Sequence, residues 1–363
     1  MHIQNHTLPG VMPGTQHVLN SYHFGKEGSG PHVYLQAGLH ADELPGVVLL
    51  HRLCRRLELL EGEGRIRGRL TVVPMANPQG MTQHLQGQHS GRFDGVSAEN
   101  FNRHYPDLSD AAAARLDATA DSAKVRQALR QALVAQPAVS TIDALRHTLF
   151  DMALQADMVL DVHCDSEAVL HLYGNNRHQA AAGELAGFLQ AGATLLCDEA
   201  GGMSFDDAVV QNWRRLEQRL GVTLAIPLAL TVELRGVADV EDRLAARDEG
   251  GLLAWLRWVG VLEGEKVAPP QAPQAATPLA GVETIVAPHG GVVVYQATPG
   301  QVLVAGSRIG YLLNPLDGSQ TPLLSQRGGY FYARVANRLA TTGAELVFLA
   351  GAGVWRNGNL LSA

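Results

Sequence analysis

The sequence predicts an α/β protein followed by a small, all-β, barrel-like C-terminal domain. Through the first 260 residues, apolar strand-like runs alternate with segments of helical periodicity. This alternation is typical of a parallel or mixed sheet with helices on its faces. The composition then changes at 266–278, a stretch with four prolines, and short strands separated by glycines follow from Gly281. Short strands with frequent glycine turns indicate a small barrel or sandwich.

The composition excludes several classes of protein. The chain has 363 residues, of which 46% are hydrophobic and 17% charged, and its net charge is −7. We therefore expect a sizeable core, no nucleic-acid partner and no membrane association. Three cysteines without paired spacing and the absence of a recognisable signal peptide predict a cytoplasmic protein. The sequence leaves a homo-oligomer open.

The predicted elements of the α/β part follow one another in a simple order. The first half contains a hairpin or edge strand at 1–30, a strand from Val33, a helix at 49–60, a strand at 69–75 that ends at the turn Asn77-Pro78-Gln79-Gly80, a polar loop at 81–108 and a helical insertion at 109–156. The second half contains strands at 157–163, 169–173, 193–196 and 224–234, and helices at 178–191, 205–220 and 241–261.

The remaining chain divides at the proline-rich stretch. We place a catalytic domain at 1–265, a linker at 266–280 and a β-rich domain at 281–363. The strands predicted in the last domain lie at 283–287, 291–295, 301–304, 308–313, 329–333 and 345–349.

A potential metal-binding motif follows the strand that begins at Val33. That strand reaches a small-residue turn at Ala37-Gly38, and His40-Ala41-Asp42-Glu43 comes directly after it. An imidazole and a carboxylate three residues apart can face one way and bind one cation. The HxxE pattern alone has low specificity, so the interpretation depends on further ligands.

Two other predicted strands end on residues of the same chemistry. His163 ends one of them and Glu233 lies near the end of another. Open α/β sheets place their sites where strands run out, so we expect these residues at one rim with His40 and Glu43. Two histidines and one glutamate can bind zinc and leave a position for water. The alternative for His163 is a core histidine, and Asp161, two residues earlier, is a candidate hydrogen-bond partner.

Amide hydrolysis also needs a carboxylate that is not a metal ligand, because a proton must reach the leaving nitrogen. Glu233 suits this role, since burial raises the pKa of a carboxyl group, although an ion pair with Arg235 is the alternative. Arg92 is the candidate for stabilising an oxyanion. Asn102 and Arg103 can clamp a substrate carboxylate. Solvated loop arginines are the alternative for Arg92 and Arg103.

Taken together, these motifs resemble the zinc carboxypeptidase superfamily, and more narrowly the succinylglutamate desuccinylase/aspartoacylase family. The motifs are, in order, His40-Ala-Asp-Glu43, Asn77-Pro78, Asn102-Arg103, His163 and Thr231-Val-Glu233-Leu-Arg-Gly236. The resemblance covers roughly residues 30–350 and implies a twisted mixed sheet flanked by helices.

The same resemblance assigns roles to individual residues. It implies one Zn²⁺ per chain on His40, Glu43 and His163, with Glu233 as general base and acid. It also implies that Arg92 polarises the scissile carbonyl, and the substrate carboxylate would be held by Asn102 and Arg103.

The sequence departs from the family pattern in the variable spacing between Arg92 and Asn102, in the helical insertion at 109–156 and in an acidic run. The acidic run Cys164-Asp165-Ser166-Glu167 follows the third ligand, and Asp165 or Glu167 can bind a cationic substrate side chain, such as that of arginine or lysine, if it faces the pocket. A solvated loop is the alternative. The C-terminal part resembles a biotinyl/lipoyl half-barrel, but no lysine occurs after Lys266, which argues against a carrier role. We expect this part to cap the site or to mediate oligomer contacts.

The preferred function is a zinc-dependent hydrolase that cleaves the amide bond of an N-acyl amino acid or a small dipeptide. One alternative is a carboxypeptidase acting on longer peptides. Another is a non-catalytic scaffold or binding protein that retains the fold, although such a protein has no physical reason to keep His40, Glu43, His163 and Glu233 together.

Overall fold

The structure is a computed structural model, and it describes residues 1–358 and Leu360. The strands before the C-terminal domain are β1 (His2–Pro9), β2 (Gln16–Gly25), β3 (His32–Ala37), β4 (Arg69–Val73), β5 (His84–Leu85), β6 (Gln88–His89), β7 (Met158–Asp165), β8 (Glu167–Ala168), β9 (His171–Asn175), β10 (Ala193–Cys197), β11 (Leu228–Gly236) and β12 (Thr277–Pro278). The helices are α1 (Pro45–Gly62), α2 (Ser109–Ala113), α3 (Ser122–Val134), α4 (Thr141–Ala153), α5 (Gln179–Leu189), α6 (Phe205–Leu220) and α7 (Asp242–Trp258).

A nine-stranded mixed sheet organises the first part of the chain. Its strand order is β1-β2-β4-β3-β7-β11-β9-β10-β12. Strands β4, β3, β7 and β11 are parallel neighbours, whereas β9 runs antiparallel to β11. The residues predicted to form a hairpin at the N-terminus pair as β1 and β2. The prediction of a mixed sheet flanked by helices is confirmed.

Helices cover both faces of this sheet and bury its apolar side chains. One core contains leucines of α1, α5 and α7, such as Leu53, Leu185 and Leu252. The other contains side chains of α3, α4 and α6, such as Leu129, Leu149 and Trp213. The segment predicted as a helical insertion therefore supplies part of a core layer rather than an appendage.

The linker is tied to this sheet at its end. Thr277 and Pro278 form β12, which pairs in parallel with β10. Upstream, the linker backbone lies against α5, because a Cβ added at Gly187 would fall 2.0 Å from the Pro270 carbonyl oxygen. The proline-rich stretch is thus packed along the surface of the α/β part.

The C-terminal strands form two antiparallel sheets. They are β13 (Glu283–Val286), β14 (Gly291–Tyr295), β15 (Val302–Val304), β16 (Arg308–Leu313), β17 (Gln320–Leu324), β18 (Gly328–Arg334), β19 (Leu339–Ala340) and β20 (Glu345–Ala350). One sheet has the order β13-β20-β18-β15 and the other β17-β16-β14-β19. Among the described residues no strand pairing closes these sheets into a barrel, so the barrel-like description is corrected to two separate sheets around one apolar core.

Strand β17 did not emerge from the sequence pattern because Pro322 lies in its middle. Proline lacks the N–H that a central strand needs, but β17 is at the edge of its sheet, where a proline is tolerated. Within the described part of the chain, no helix is long and apolar enough to cross a bilayer.

The burial of His32 at the start of β3 generates a prediction about acid stability. Burial, followed by the nearby charge of Arg69, lowers the pKa of His32 from 6.5 to about 4. Its ring contacts the hydroxyl of Thr71 and the carbonyl of Gln155. Because the unfolded chain binds this proton more tightly, the stability contribution is present above pH 6.5 and is lost as the pH falls toward 4.

Between pH 6.5 and pH 4 the wild type should lose unfolding free energy because of His32. We expect His32→Gln to lose up to about 3 kcal/mol less than the wild type over the same pH range. Urea unfolding at half-unit pH steps measures this slope. The same change at the exposed His51 is the control and should leave the slope as in the wild type. Equal slopes for His32→Gln and the wild type would contradict the assignment.

Candidate metal centre and active-site cavity

Three adjacent parallel strands bring the predicted ligands to one edge of the sheet. His40 and Glu43 follow β3, His163 lies on β7, and Glu233 lies on β11 opposite His163 in the strand register. His40, Glu43 and His163 are buried, and their potential ligand atoms lie within 4.8 Å of one another. The convergence expected at the strand ends is thus present in the structure.

The turn after β3 is shaped by two glycines. Gly38 has a φ of +67°, a left-handed conformation that glycine adopts without strain. A Cβ added at Gly46 would lie 2.9 Å from side-chain atoms of Ala37 and Val162, so α1 packs directly against the strands. Between them, the Glu43 N–H donates to the His40 carbonyl at 3.1 Å and closes a tight turn. This turn directs His40 and Glu43 to the same side.

Glu43 lies between the two imidazoles. Its Oε1 is 2.9 Å from His40 Nδ1, and its Oε2 is 2.8 Å from His163 Nδ1. The backbone N–H of Cys164 also donates to Oε2 at 3.0 Å. Two imidazole nitrogens and one carboxylate therefore meet at one point, and this is a donor set that zinc accepts.

The outer nitrogen of each imidazole faces an oxygen. His40 Nε2 is 2.9 Å from Asn100 Oδ1, and His163 Nε2 is 2.9 Å from Asp161 Oδ2. The His163–Asp161 approach is close but not aligned as a hydrogen bond, since Asp161 Oδ2 has no hydrogen-bond partner among the described residues. With the proton on the outer nitrogen, each imidazole keeps the lone pair of Nδ1 for a cation. The hydrogen bonding around the cluster thus fits a metal ion held by the two Nδ1 atoms and Glu43.

The electrostatic environment of Glu43 also fits a metal ion at this point. Burial on its own would raise the pKa of Glu43, but the neighbouring His40 and His163 outweigh it and hold the pKa below its ordinary value. The group therefore stays a carboxylate although it is only 5% exposed. A buried carboxylate requires positive charge or strong donors around it, and a divalent cation at this point would provide that charge.

A series of buried, hydrogen-bonded polar side chains holds Asp161, the neighbour of His163. Gln36 pairs with Asp161 in the register of β3 and β7, and its Nε2 donates to Asp161 Oδ1 at 2.9 Å. Tyr34 donates to Gln36 at 2.7 Å. Because side chains alternate along a strand, Asp161 and His163 share one face, as the sequence pattern predicts. These contacts fix the Asp161 carboxylate beside the imidazole.

Glu233 faces the same cavity without a protein partner. Its Oε2 is shielded from solvent and accepts no hydrogen bond from the described residues. Burial, followed by the charge of Glu43, raises the pKa of Glu233 above its ordinary value. The alternative of an ion pair with Arg235 is wrong, because Arg235 instead binds Asp248 on α7, with Nη1 3.2 Å from Oδ1.

Arg92 reaches the cluster from the polar loop. The loop backbone approaches closely at Gly91, where an added Cβ would fall 2.3 Å from the Asp42 nitrogen. Arg92 Nη1 lies 3.3 Å from Glu43 Oε1 and 3.2 Å from His40 Nδ1. The side chain is 39% exposed, so its guanidinium faces both the cluster and the open side of the cavity.

Asn102 and Arg103 line the cavity as well, with different surroundings. The Asn102 side chain is engaged by protein: Oδ1 accepts the Phe205 N–H at 2.8 Å, and Nδ2 lies 3.2 Å from His163 Nε2. Arg103 donates to the Asn102 carbonyl at 2.7 Å. Burial, followed by the charge of Arg92, lowers the pKa of Arg103.

Glu167 is the one candidate that the structure places elsewhere. It does not line the cavity, and its carboxylate binds Arg338 Nη2 at 2.7 and 2.9 Å and also Arg334. The reason is that β8 pairs with β18, so the C-terminal domain covers this side chain. The substrate-binding interpretation of Glu167 is corrected accordingly. Asp165 lines the cavity instead, and burial raises its pKa to about 6.

Several residues of the cavity wall, and one that contacts the cluster from behind, were not singled out by sequence reasoning. Their positions depend on tertiary packing, and no spacing in the sequence marks them. They are Asn100, Asp206, Asp207, Tyr173, Tyr332, Phe348, Arg356 and Leu360. The last four lie after the linker, so the C-terminal part forms one wall of the cavity, as expected of a cap.

The fold and the site together define a class of protein: a mixed α/β sheet that carries a buried His–Glu–His group, able to hold a metal ion, at the carboxyl edge of its central strands. The family model of the succinylglutamate desuccinylase/aspartoacylase catalytic domain matches residues 29–259. This chain belongs to that family. The resemblance inferred from the ordered motifs is thereby confirmed.

Solved structures agree over nearly the whole chain. A succinylglutamate desuccinylase/aspartoacylase family protein from Shewanella amazonensis has a TM-score of 0.82 at 26% identity, over 96% of this chain and 98% of that one. The product-bound ectoine utilization protein from Ruegeria pomeroyi has a TM-score of 0.67 at 18% identity, over 96% and 94%. At this identity the second similarity shows the fold alone.

One curated relative carries a named activity. The N-alpha-acetyl-L-2,4-diaminobutyric acid deacetylase of Halomonas elongata is 35% identical over 81 residues. The match spans 22% of this chain and 21% of that protein. The family is one of deacylases.

The Asp161–His163 contact generates a prediction about metal affinity. In Asp161→Asn, Oδ1 can still accept from Gln36, but an amide NH₂ then faces the His163 Nε2–H. We expect zinc affinity to fall about 10- to 100-fold, the usual effect of losing such a partner. Competition with a chromogenic chelator measures it. The exposed Asp317→Asn serves as the control, and unchanged affinity in Asp161→Asn would contradict the role.

Proposed function

We propose that this protein is a zinc-dependent hydrolase that cleaves the amide bond of an N-acyl amino acid or a small dipeptide. The observation that carries the proposal is the pairing of the His40–Glu43–His163 cluster with the unpartnered Oε2 of Glu233 in one cavity. A metal site and a separate buried carboxylate are the two components that water-mediated amide cleavage requires.

The cluster would hold one zinc ion through His40, Glu43 and His163. When bound there, zinc supplies Lewis acidity, which polarises a carbonyl group and lowers the pKa of water. Asp161 and Asn100 would keep the two imidazoles in the orientation that exposes Nδ1.

Glu233 would move the proton. Because its pKa is raised by burial, its carboxylate is basic enough to accept a proton from the attacking water near neutral pH. Once protonated, the same group can donate to the leaving nitrogen. The absence of a protein partner on Oε2, among the described residues, leaves that oxygen available for both steps.

Two arginines would bind the charged parts of the substrate. Arg92 lies beside the cluster, so its guanidinium can stabilise the negative charge that develops on the carbonyl oxygen. Arg103 can hold the substrate carboxylate, since its planar fork matches that group. Asn102, which contacts both His163 and the start of α6, would position this part of the wall and complete the carboxylate site.

The size of the cavity supports a small substrate. Its volume is about 180 Å³, below the range of about 300–1,000 Å³ typical of drug-sized ligands. Side chains of the C-terminal domain, including Tyr332 and Phe348, close one side. We accordingly assign catalysis to residues 1–265 and wall formation to residues 281–363, joined by the 266–280 linker. Three free cysteines fit a cytoplasmic location.

The direct test is hydrolysis of a panel by the purified protein. The panel contains N-acetyl and N-succinyl forms of aspartate, glutamate, arginine and lysine, together with several dipeptides. We expect chelator-sensitive release of an amino acid that returns when zinc is restored. Absence of release from every compound by zinc-loaded protein would contradict the proposal.

The role of Glu233 generates a separate prediction. Glu233→Gln keeps the shape of the side chain but cannot take a proton, so we expect kcat to fall at least 1,000-fold, on the order of general acid–base contributions of about 10²–10⁴. Zinc content should remain at the wild-type level. Glu58→Gln, on an exposed face of α1, is the control. Retained turnover in Glu233→Gln would exclude this glutamate as the base.

The role of Arg103 is tested by changing enzyme and substrate together. Arg103→Ala should raise KM about 10- to 100-fold for a substrate with a free α-carboxylate, the value of a lost charged hydrogen bond. For the matching carboxamide the variant and the wild type should have equal kcat/KM. Equal losses on both substrates would indicate a structural role instead.

A further inference from the structure

The cavity extends from the His40–Glu43–His163 cluster to the first turn of α6, where Asp206 and Asp207 line it. Acidic residues in a first turn are common, since they interact favourably with the helix dipole. That explanation accounts for the positions of the two carboxylates. It does not account for the contacts of Asp207.

Asp207 is buried with one oxygen unsatisfied. The residue is 8% exposed, and its Oδ1 accepts from Gln211 Nε2 at 2.9 Å. Its Oδ2 is shielded from solvent and makes no hydrogen bond of ordinary geometry among the described residues, although the nearby backbone N–H of Ala200 acts to lower the pKa of this carboxyl group. Buried carboxylate oxygens are normally paired, because an unmade hydrogen bond on a buried group is costly. A ligand in the cavity can supply the missing donor.

The surrounding charge favours a cationic donor. Asp206 and Glu199 add negative charge around Asp207, whereas Arg103 is the cation that interacts with both aspartates. Asp206 also accepts from the Ser204 hydroxyl at 2.8 Å. Glu199 is itself paired with Arg215, whose Nη2 lies 3.1 Å from Glu199 Oε1. Asp206 and Asp207 remain as two carboxylates beside the one guanidinium of Arg103, and they leave a local excess of negative charge. Burial, together with the charges of Asp206 and Glu199, raises the pKa of Asp207 to about 7.

We propose that Asp207 forms a subsite for the ammonium group of a substrate side chain, so that the substrate is an N-acylated diamino acid. This inference rests on the proposed function and names the substrate class of the same cavity. The ammonium belongs to the amino-acid part rather than to the acyl part, because Arg103, the proposed carboxylate ligand, neighbours Asp207 electrostatically. A single free oxygen suits the compact –NH₃⁺ group better than the two-pronged guanidinium.

The first experiment measures binding without turnover. Calorimetry on the zinc-loaded wild type compares 2,4-diaminobutyrate with norvaline, and ornithine with norleucine, since each pair differs by a terminal ammonium in place of a methyl group. We expect each diamino acid to bind at least tenfold more tightly than its neutral partner. Equal affinities in the wild type would overturn the inference without the need for any variant.

The second experiment assigns the selectivity to Asp207. In Asp207→Asn the affinity ratio should fall to about one. Asp242→Asn, which removes an exposed acid from the first turn of α7, is the matched control and should keep the wild-type ratio. A ratio that survives in Asp207→Asn would overturn the assignment.

Turnover separates this inference from the proposed function. One outcome is hydrolysis of N-acetylnorvaline with a kcat/KM equal to or higher than that for Nα-acetyl-2,4-diaminobutyrate. That result would overturn the proposed substrate class but would still support the hydrolase function. Selective, Asp207-dependent binding with no turnover of any compound would support the cation subsite and contradict the hydrolase. Faster hydrolysis of the diamino substrate, lost in Asp207→Asn, would support both.

Discussion

The arrangement of the cavity depends on one buried carboxylate, Glu43, held between two imidazoles at the edge of the sheet. Its oxygens lie 2.9 Å from His40 Nδ1 and 2.8 Å from His163 Nδ1. Such a group is stable in a protein interior only when positive charge or donors surround it. The outer contacts of the imidazoles, the close approach of Arg92 and the polar chain behind His163 all serve this requirement.

Sequence reasoning located the cluster because parallel neighbouring strands end at the same edge of a sheet. That rule placed His163 and Glu233 beside the His40–Glu43 pair before any contact was known. It could not find the partners of Glu167 or Arg235, since these come from elements distant in sequence. Asn100 was not identified for the same reason, because its contact with His40 depends on how its loop folds back over the cluster.

The secondary structure was predictable from the sequence, but the packing of its elements was not. Helical and strand periodicities predicted the core elements of the α/β part, including the position of α6. They could not show that α3 and α4 form a core layer, because amphipathicity reveals a buried face but not what it packs against. The C-terminal strands were predicted individually, whereas their division into two sheets is set by long-range pairing between β13, β18 and β20.

We propose that the His40–Glu43–His163 cluster binds zinc through nitrogen and oxygen alone. Zinc K-edge absorption spectroscopy on the purified protein, with metal content measured on the same sample, tests it most directly. We predict about one zinc per chain with two imidazole nitrogens and oxygen ligands. No bound zinc after zinc is supplied, or sulfur scattering from Cys164 in the cavity wall, would contradict the account.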